Sequence, residues 1–159
     1  MIRLKNVAEY VLTLKKTGAA AVANDVDETI VPAAGFLKAV VAGFSLIGTD
    51  GTGAPTQDVI VDIKKNGTSI FSGATKINFT HAKQVGGANT PVLADNYGAL
   101  STNPVPVAKG DRIQIDITQI LNGTAPTQPQ NLHVHLAFTK GYDRPPQGVL
   151  TGVLSELDN

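Results

Sequence analysis

Asp111-Arg112-Ile113-Gln114-Ile115-Asp116-Ile117-Thr118-Gln119-Ile120 is the stretch that decides the fold. Ile113, Ile115 and Ile117 alternate with Arg112, Gln114, Asp116 and Thr118. Side chains alternate faces along a strand, so this period reads as a sheet with one dry and one wet face. Residues 132–138 repeat it through Leu132, Val134, Leu136 and Phe138. A dry sheet face needs a second layer, which predicts a β-sandwich or barrel.

Working outward, residues 58–72 predict a hairpin. Asn66-Gly67 supplies the two positive-φ positions of a tight turn, so Lys65 should face Thr68 and Ile63 should face Ile70. Slipping by one residue would turn Val59, Val61 and Ile63 to the wrong face. Residues 9–16, 29–31, 75–80 and 105–107 read as further strands, the last turning at Lys109-Gly110. Residues 17–24 read as a small-residue loop, and residues 24–28 (Asn-Asp-Val-Asp-Glu) as a solvated acidic turn. Residues 81–103 form a long connection of the kind that usually serves function or an interface.

Residues 36–47 are apolar in both registers: Phe36, Val40, Phe44 and Leu46 on one face, Leu37, Val41 and Ile47 on the other. A strand greasy on both sides predicts that its outer face is covered by a chain terminus or another subunit. Composition agrees. Charged residues are 16% of the chain, against about 25% in ordinary soluble domains. Thirteen basic residues balance thirteen acidic ones, which gives no electrostatic footprint for nucleic acid or an anionic membrane. The absence of cysteine excludes disulfides, thiolate metal sites and cysteine nucleophiles.

The chain divides into an N-terminal arm (1–8), a β domain (9–141) and a C-terminal arm (142–159). The last begins with an extended Arg144-Pro145-Pro146 run and then carries Val149, Leu150, Val153, Leu154 and Leu157 near helical spacing. Gly152 weakens such a helix by about 1 kcal/mol. These residues read as a docking arm.

Over Val105-Pro-Val-Ala-Lys-Gly-Asp-Arg-Ile-Gln-Ile-Asp-Ile117 the chain resembles jelly-roll proteins of the TNF and C1q type. The order over residues 30–140 is similar to jelly-roll structural proteins of tailed bacteriophages. It runs from the Phe36 strand through a Gly-Thr-rich loop, a valine-rich strand ending in Lys-Asn-Gly-Thr-Ser-Ile and the Gly-Asp-Arg-Ile strand to a final Leu-X-Val-X-Leu-X-Phe strand. The resemblance implies an all-β jelly-roll sandwich of about eight antiparallel strands with extended N- and C-terminal arms. It further implies a virion structural protein, made in the host cytoplasm and placed on the capsid surface. The best-fitting role is a decoration (cement) protein that trimerises and grips the major capsid protein. The interface residues expected are Phe36, Val40, Val41 and Phe44 on the packed strand and Leu150, Val153, Leu154 and Leu157 in the arm. A receptor- or glycan-binding head of a tail or head fibre is the alternative, with residues 81–103 as the reader.

No enzyme activity, catalytic residue, metal or cofactor is expected. His133 and His135, two apart on the wet face of one strand, are the residues best placed to ligate a metal if a three-fold axis gathered three copies; a cupin-like site would use the same pair. Asp25, Asp27 and Glu28 lack the spacing of an EF-hand. Asp58/Asp62 and Asp111/Asp116 lack the tryptophans a glycosidase cleft commonly uses to stack sugars.

Overall fold

A computed structural model describes residues 9–48, 56–84, 91–124 and 126–140. Both expected arms, with Leu150, Val153, Leu154 and Leu157, lie outside them, as does most of the Gly-Thr-rich loop.

The chain is an all-β, jelly-roll-like sandwich of two antiparallel sheets. Its strands are β1 (Glu9–Ala19), β2 (Ala23–Ile30), β3 (Gly35–Leu46), β4 (Val59–Lys65), β5 (Thr68–Ser69), β6 (Ile77–Phe79), β7 (Val92–Leu93), β8 (Val105–Val107), β9 (Arg112–Gln119) and β10 (Gln130–Lys140). The first sheet runs β1-β10-β3-β7, with β8 also on β3; the second runs β2-β9-β4-β5, with β6 also on β4. The first four strands alternate between the sheets, β9 returns to pair with β4 in the second, and β10 closes the first. The chain wraps around its core instead of completing one layer first.

The alternating stretches behave as their period requires. Ile113, Ile115 and Ile117 of β9 and Leu132, Val134, Leu136 and Phe138 of β10 are buried between the sheets. At roughly 1.5–3 kcal/mol for each fully buried large apolar side chain, these two strands anchor the sandwich. Phe44 of β3 meets Phe79 of β6 edge to face at 4.7 Å, joining the sheets. Tyr10 stacks on Phe138 at 5.0 Å, and its hydroxyl donates to the Ala33 carbonyl. The hairpin register is as expected. Lys65 pairs with Thr68, the Ile70 N–H bonds the Ile63 carbonyl, and Asn66 and Gly67 have φ of 50° and 84°.

Two expectations need correction. Residues 23–30 are one strand, not a loop, an acidic turn and a short strand. The register against β9 shifts between Ala23 and Asp27, and Asp25 sits at φ 51°. That irregularity breaks the period. The acids there form no turn, although Asp25 and Glu28 are exposed as expected. Asp27 accepts the Lys15 N–H at 2.7 Å and Asp25 lies over β9.

In β3, alternation fails at Lys38. Ala137 of β10 pairs with Ala39 but Phe138 pairs with Leu37, so Lys38 is an extra residue in the ladder. An inserted residue flips the parity of every later position in the strand. Leu37, Ala42 and Phe44 consequently point into the core, while Phe36 and Val41 point out.

Candidate functional site

The outer face of the first sheet is laid out in register rows. Val11, Ala137 and Ala39 form one row; Thr13, His135 and Val41 the next; Lys15, His133, Gly43 and Leu93 a third. Phe36 stands beside Thr139 and Pro106 at one end. Val11, Phe36, Val41 and Leu93 are 59%, 42%, 46% and 64% exposed, which leaves an apolar band across a solvent-facing sheet. The one ion pair among the described residues of this face is Lys38–Glu9 at its rim.

Of the residues expected at an interface, Phe36 and Val41 lie on this face. Val40 is half-buried at the sheet edge. Phe44 is a core residue, 2% exposed, with no surface to offer a neighbour. A period-two reading groups it with Phe36; the extra residue at Lys38 separates them.

His133 and His135 both project from this face, as their spacing requires. Their rings lie nearly parallel with centroids 6.3 Å apart, and His135 Nδ1 shares a hydrogen bond with the Thr13 hydroxyl at 3.0 Å. Two ligands at about 2.1 Å from one ion must come within roughly 4.2 Å of each other. The pair alone offers one ion at most two ligands, and the Thr13 hydroxyl already engages one of the four ring nitrogens. Among the described residues no three His, Cys, Asp or Glu side chains gather in metal-binding geometry. His81 is committed locally, with Nδ1 2.6 Å from Asp58.

The long connection after β6 builds the far edge of this sheet. β8 pairs with Gly35–Leu37 and β7 with Gly43 and Phe44. Between those two pairings the chain swings away from β3, and the Tyr97 hydroxyl takes the place of a strand by accepting the Ala42 N–H at 3.1 Å. The gap is an apolar cleft of about 310 Å³ lined by Leu37, Val40, Phe71, Tyr97, Leu100 and Asn103. Its outer wall is pinned. Phe71 bridges Leu100, the Ser72 N–H bonds the Ala99 carbonyl at 2.9 Å, and Gly98 holds φ 63°. A Cβ on Gly98 would sit 2.3 Å from the Thr75 carbonyl oxygen, so only glycine fits. Nothing in the linear sequence marks this cleft, because it depends on where β7 stops and β8 starts.

The outer face of the second sheet has the opposite character. Asp62, Gln114 and Asp116 are buried there, although alternation predicts a wet face. Asp62 and Asp116 are direct cross-strand partners. Two like charges in that position repel, and lysines relieve them. Lys64 pairs with Asp116, and Lys76 lies 3.3 Å from Asp62. Ser69 donates to Asp62 at 2.7 Å, the Asp25 N–H donates to Asp116 at 2.8 Å, and the Gln114 amide donates to Asp25. The Asp116 carboxylate raises the Lys64 pKa, against partial desolvation; the charges of Asp116, Asp62 and Asp25 add to the rise. Each carboxylate is used on internal donors, which is a structural use.

Two more carboxylates tie loops down. Burial pushes Asp58 up, but the His81 N–H, the Asn78 amide and the His81 ring together hold it below the usual carboxylate range. Asp111 is held low by the Ala108 N–H and the Asn66 amide, both at 2.8 Å, against some desolvation and with help from Lys65.

No family model matches the sequence, and no curated protein matches it. A solved structure described as the Cyanophage Pam1 capsid asymmetric unit is among those that match this chain. It has a TM-score of 0.41 and 14% sequence identity, over 89% of this chain and 92% of that one.

Proposed function

We propose that this chain is a structural component of a tailed-phage virion: a decoration protein that trimerises through the outer face of its first sheet and stabilises the capsid through its terminal arms. The observation that carries the reading is the exposure of four large apolar side chains, Val11, Phe36, Val41 and Leu93, on a sheet face whose charges are Lys15 and the Lys38–Glu9 pair. The opposite face of the sandwich carries salt-bridged charge instead. One greasy face and one charged face suit a molecule covered on one side by other polypeptides.

Size supports the same reading. Long strands about 4.8 Å apart and about 33 Å long, flanked by two short ones, present roughly 600 Å². A standard protein interface takes about 800 Å² per partner, so this face with one arm added suffices. Many such contacts repeated on a lattice act together, and avidity then outweighs the affinity of any one of them.

The test is co-sedimentation with capsids of the encoding phage that lack this chain. Wild type should pellet with the capsids. Val41→Lys and a chain ending at Gly141 should remain largely in the supernatant. Equal pelleting of all three, or no pelleting of wild type, would overturn the proposal.

A further inference from the structure

We propose that the cleft bounded by Leu37, Val40, Phe71, Tyr97 and Leu100 receives the apolar residues 149–157 of a second copy of this chain. The inference rests on the self-association reading above and names the contact that an arm makes. The cleft is preformed, since Gly98, the Phe71–Leu100 bridge and the Tyr97 hydroxyl fix its wall. At about 310 Å³ it holds two or three aliphatic side chains, and its lining is mostly apolar. Residues 149–157 bring Val149, Leu150, Val153, Leu154 and Leu157.

The direction of β10 selects the second copy over the same chain. Lys140 pairs with Gly35, and β10 runs antiparallel to β3. The chain therefore leaves β10 heading past the start of β3, whereas the cleft lies two to five residues the other way, about 7–17 Å along β3. Residues 141–148 join β10 to the segment and contain Pro145-Pro146. Such a spacer favours an extended course, and eight residues reach about 25 Å at roughly 3.1 Å each. Reaching its own cleft requires a full reversal within that spacer, which its two prolines disfavour.

The chain has no cysteine, so introduced pairs report without background. Full-length Leu100→Cys and full-length Leu154→Cys chains are mixed, oxidised and run on a non-reducing gel, with light scattering on the same samples before oxidation. Asn103→Cys at the cleft rim serves as a second attachment if Leu100→Cys perturbs folding, and Val22→Cys as the control. The proposal predicts a disulfide-linked heterodimer forming about tenfold or more faster than the Val22 control, because a seated segment has a millimolar effective concentration. A bond found only in a Leu100→Cys/Leu154→Cys double variant, as a closed single chain, overturns it. No selective bond from either cleft position in a chain that scatters as a multimer overturns this inference and leaves the self-association reading standing. No selective bond in a chain that scatters as a monomer removes both.

Discussion

Leu37 and Val41 lie four residues apart on β3 yet point to opposite sides of its sheet. Leu37 is 5% exposed and faces Phe138, while Val41 is 46% exposed and faces His135. The extra residue at Lys38 is the cause. A charge at each position separates the two roles. Leu37→Lys buries an unpaired ammonium and should destabilise the fold by at least about 3 kcal/mol. Val41→Lys should keep the β-sheet circular dichroism and a cooperative melt. Comparing the two melts checks the parity change.

Asp116 and Lys64 supply a second prediction. Asp116→Ala strands the Lys64 ammonium and the Asp25 N–H. Removing one partner of a buried pair typically costs about 3–5 kcal/mol; the low end applies here because the Lys64 side chain keeps 28% of its exposure. Replacing both partners by Lys64→Met and Asp116→Leu should recover most of the loss in urea denaturation.

Acid sensitivity arises at Asp111. Its pKa is lowered in the fold, so its contribution is present above the unfolded value of about 3.9 and disappears as pH falls through the folded one. Asp111→Asn should therefore lower stability by about 1 kcal/mol at neutral pH. Denaturation curves at a series of pH values should show the gap from wild type closing below about pH 3.9.

Gly98→Ala tests the wall of the cleft. Its positive φ and the nearby Thr75 carbonyl leave no room for a methyl group. A loss of about 1–3 kcal/mol is expected in chemical denaturation. Gly67→Ala, at φ 84° in the hairpin turn but with open space around it, should lose less.

How much of this is legible in the sequence depends on how local the cause is. Ile113–Ile117, Leu132–Phe138 and the Asn66-Gly67 turn are legible because period and turn chemistry are properties of adjacent residues. β2 is hidden because Asp25 takes a left-handed conformation in the stretch where the register shifts, which breaks the alternation, and only Asp27 among its acids serves as a backbone acceptor. The burial of Gln114 and Asp116 is hidden because Asp25, in the irregular stretch of the neighbouring β2, bonds both of them. Apolarity on both faces of β3 is visible, and Phe36 and Val41 do stand on the outer side. Periodicity misplaces Phe44, since a single extra residue inverts parity without changing composition.

Whether other copies of this chain cover the Val11–Val41 face is answered most directly by light scattering of the full-length protein, wild type beside Val41→Lys at equal concentration. Self-association through this face requires about three times the 16.5 kDa chain mass for wild type and the single-chain mass for the variant. A single-chain mass for folded wild type at every concentration would contradict it.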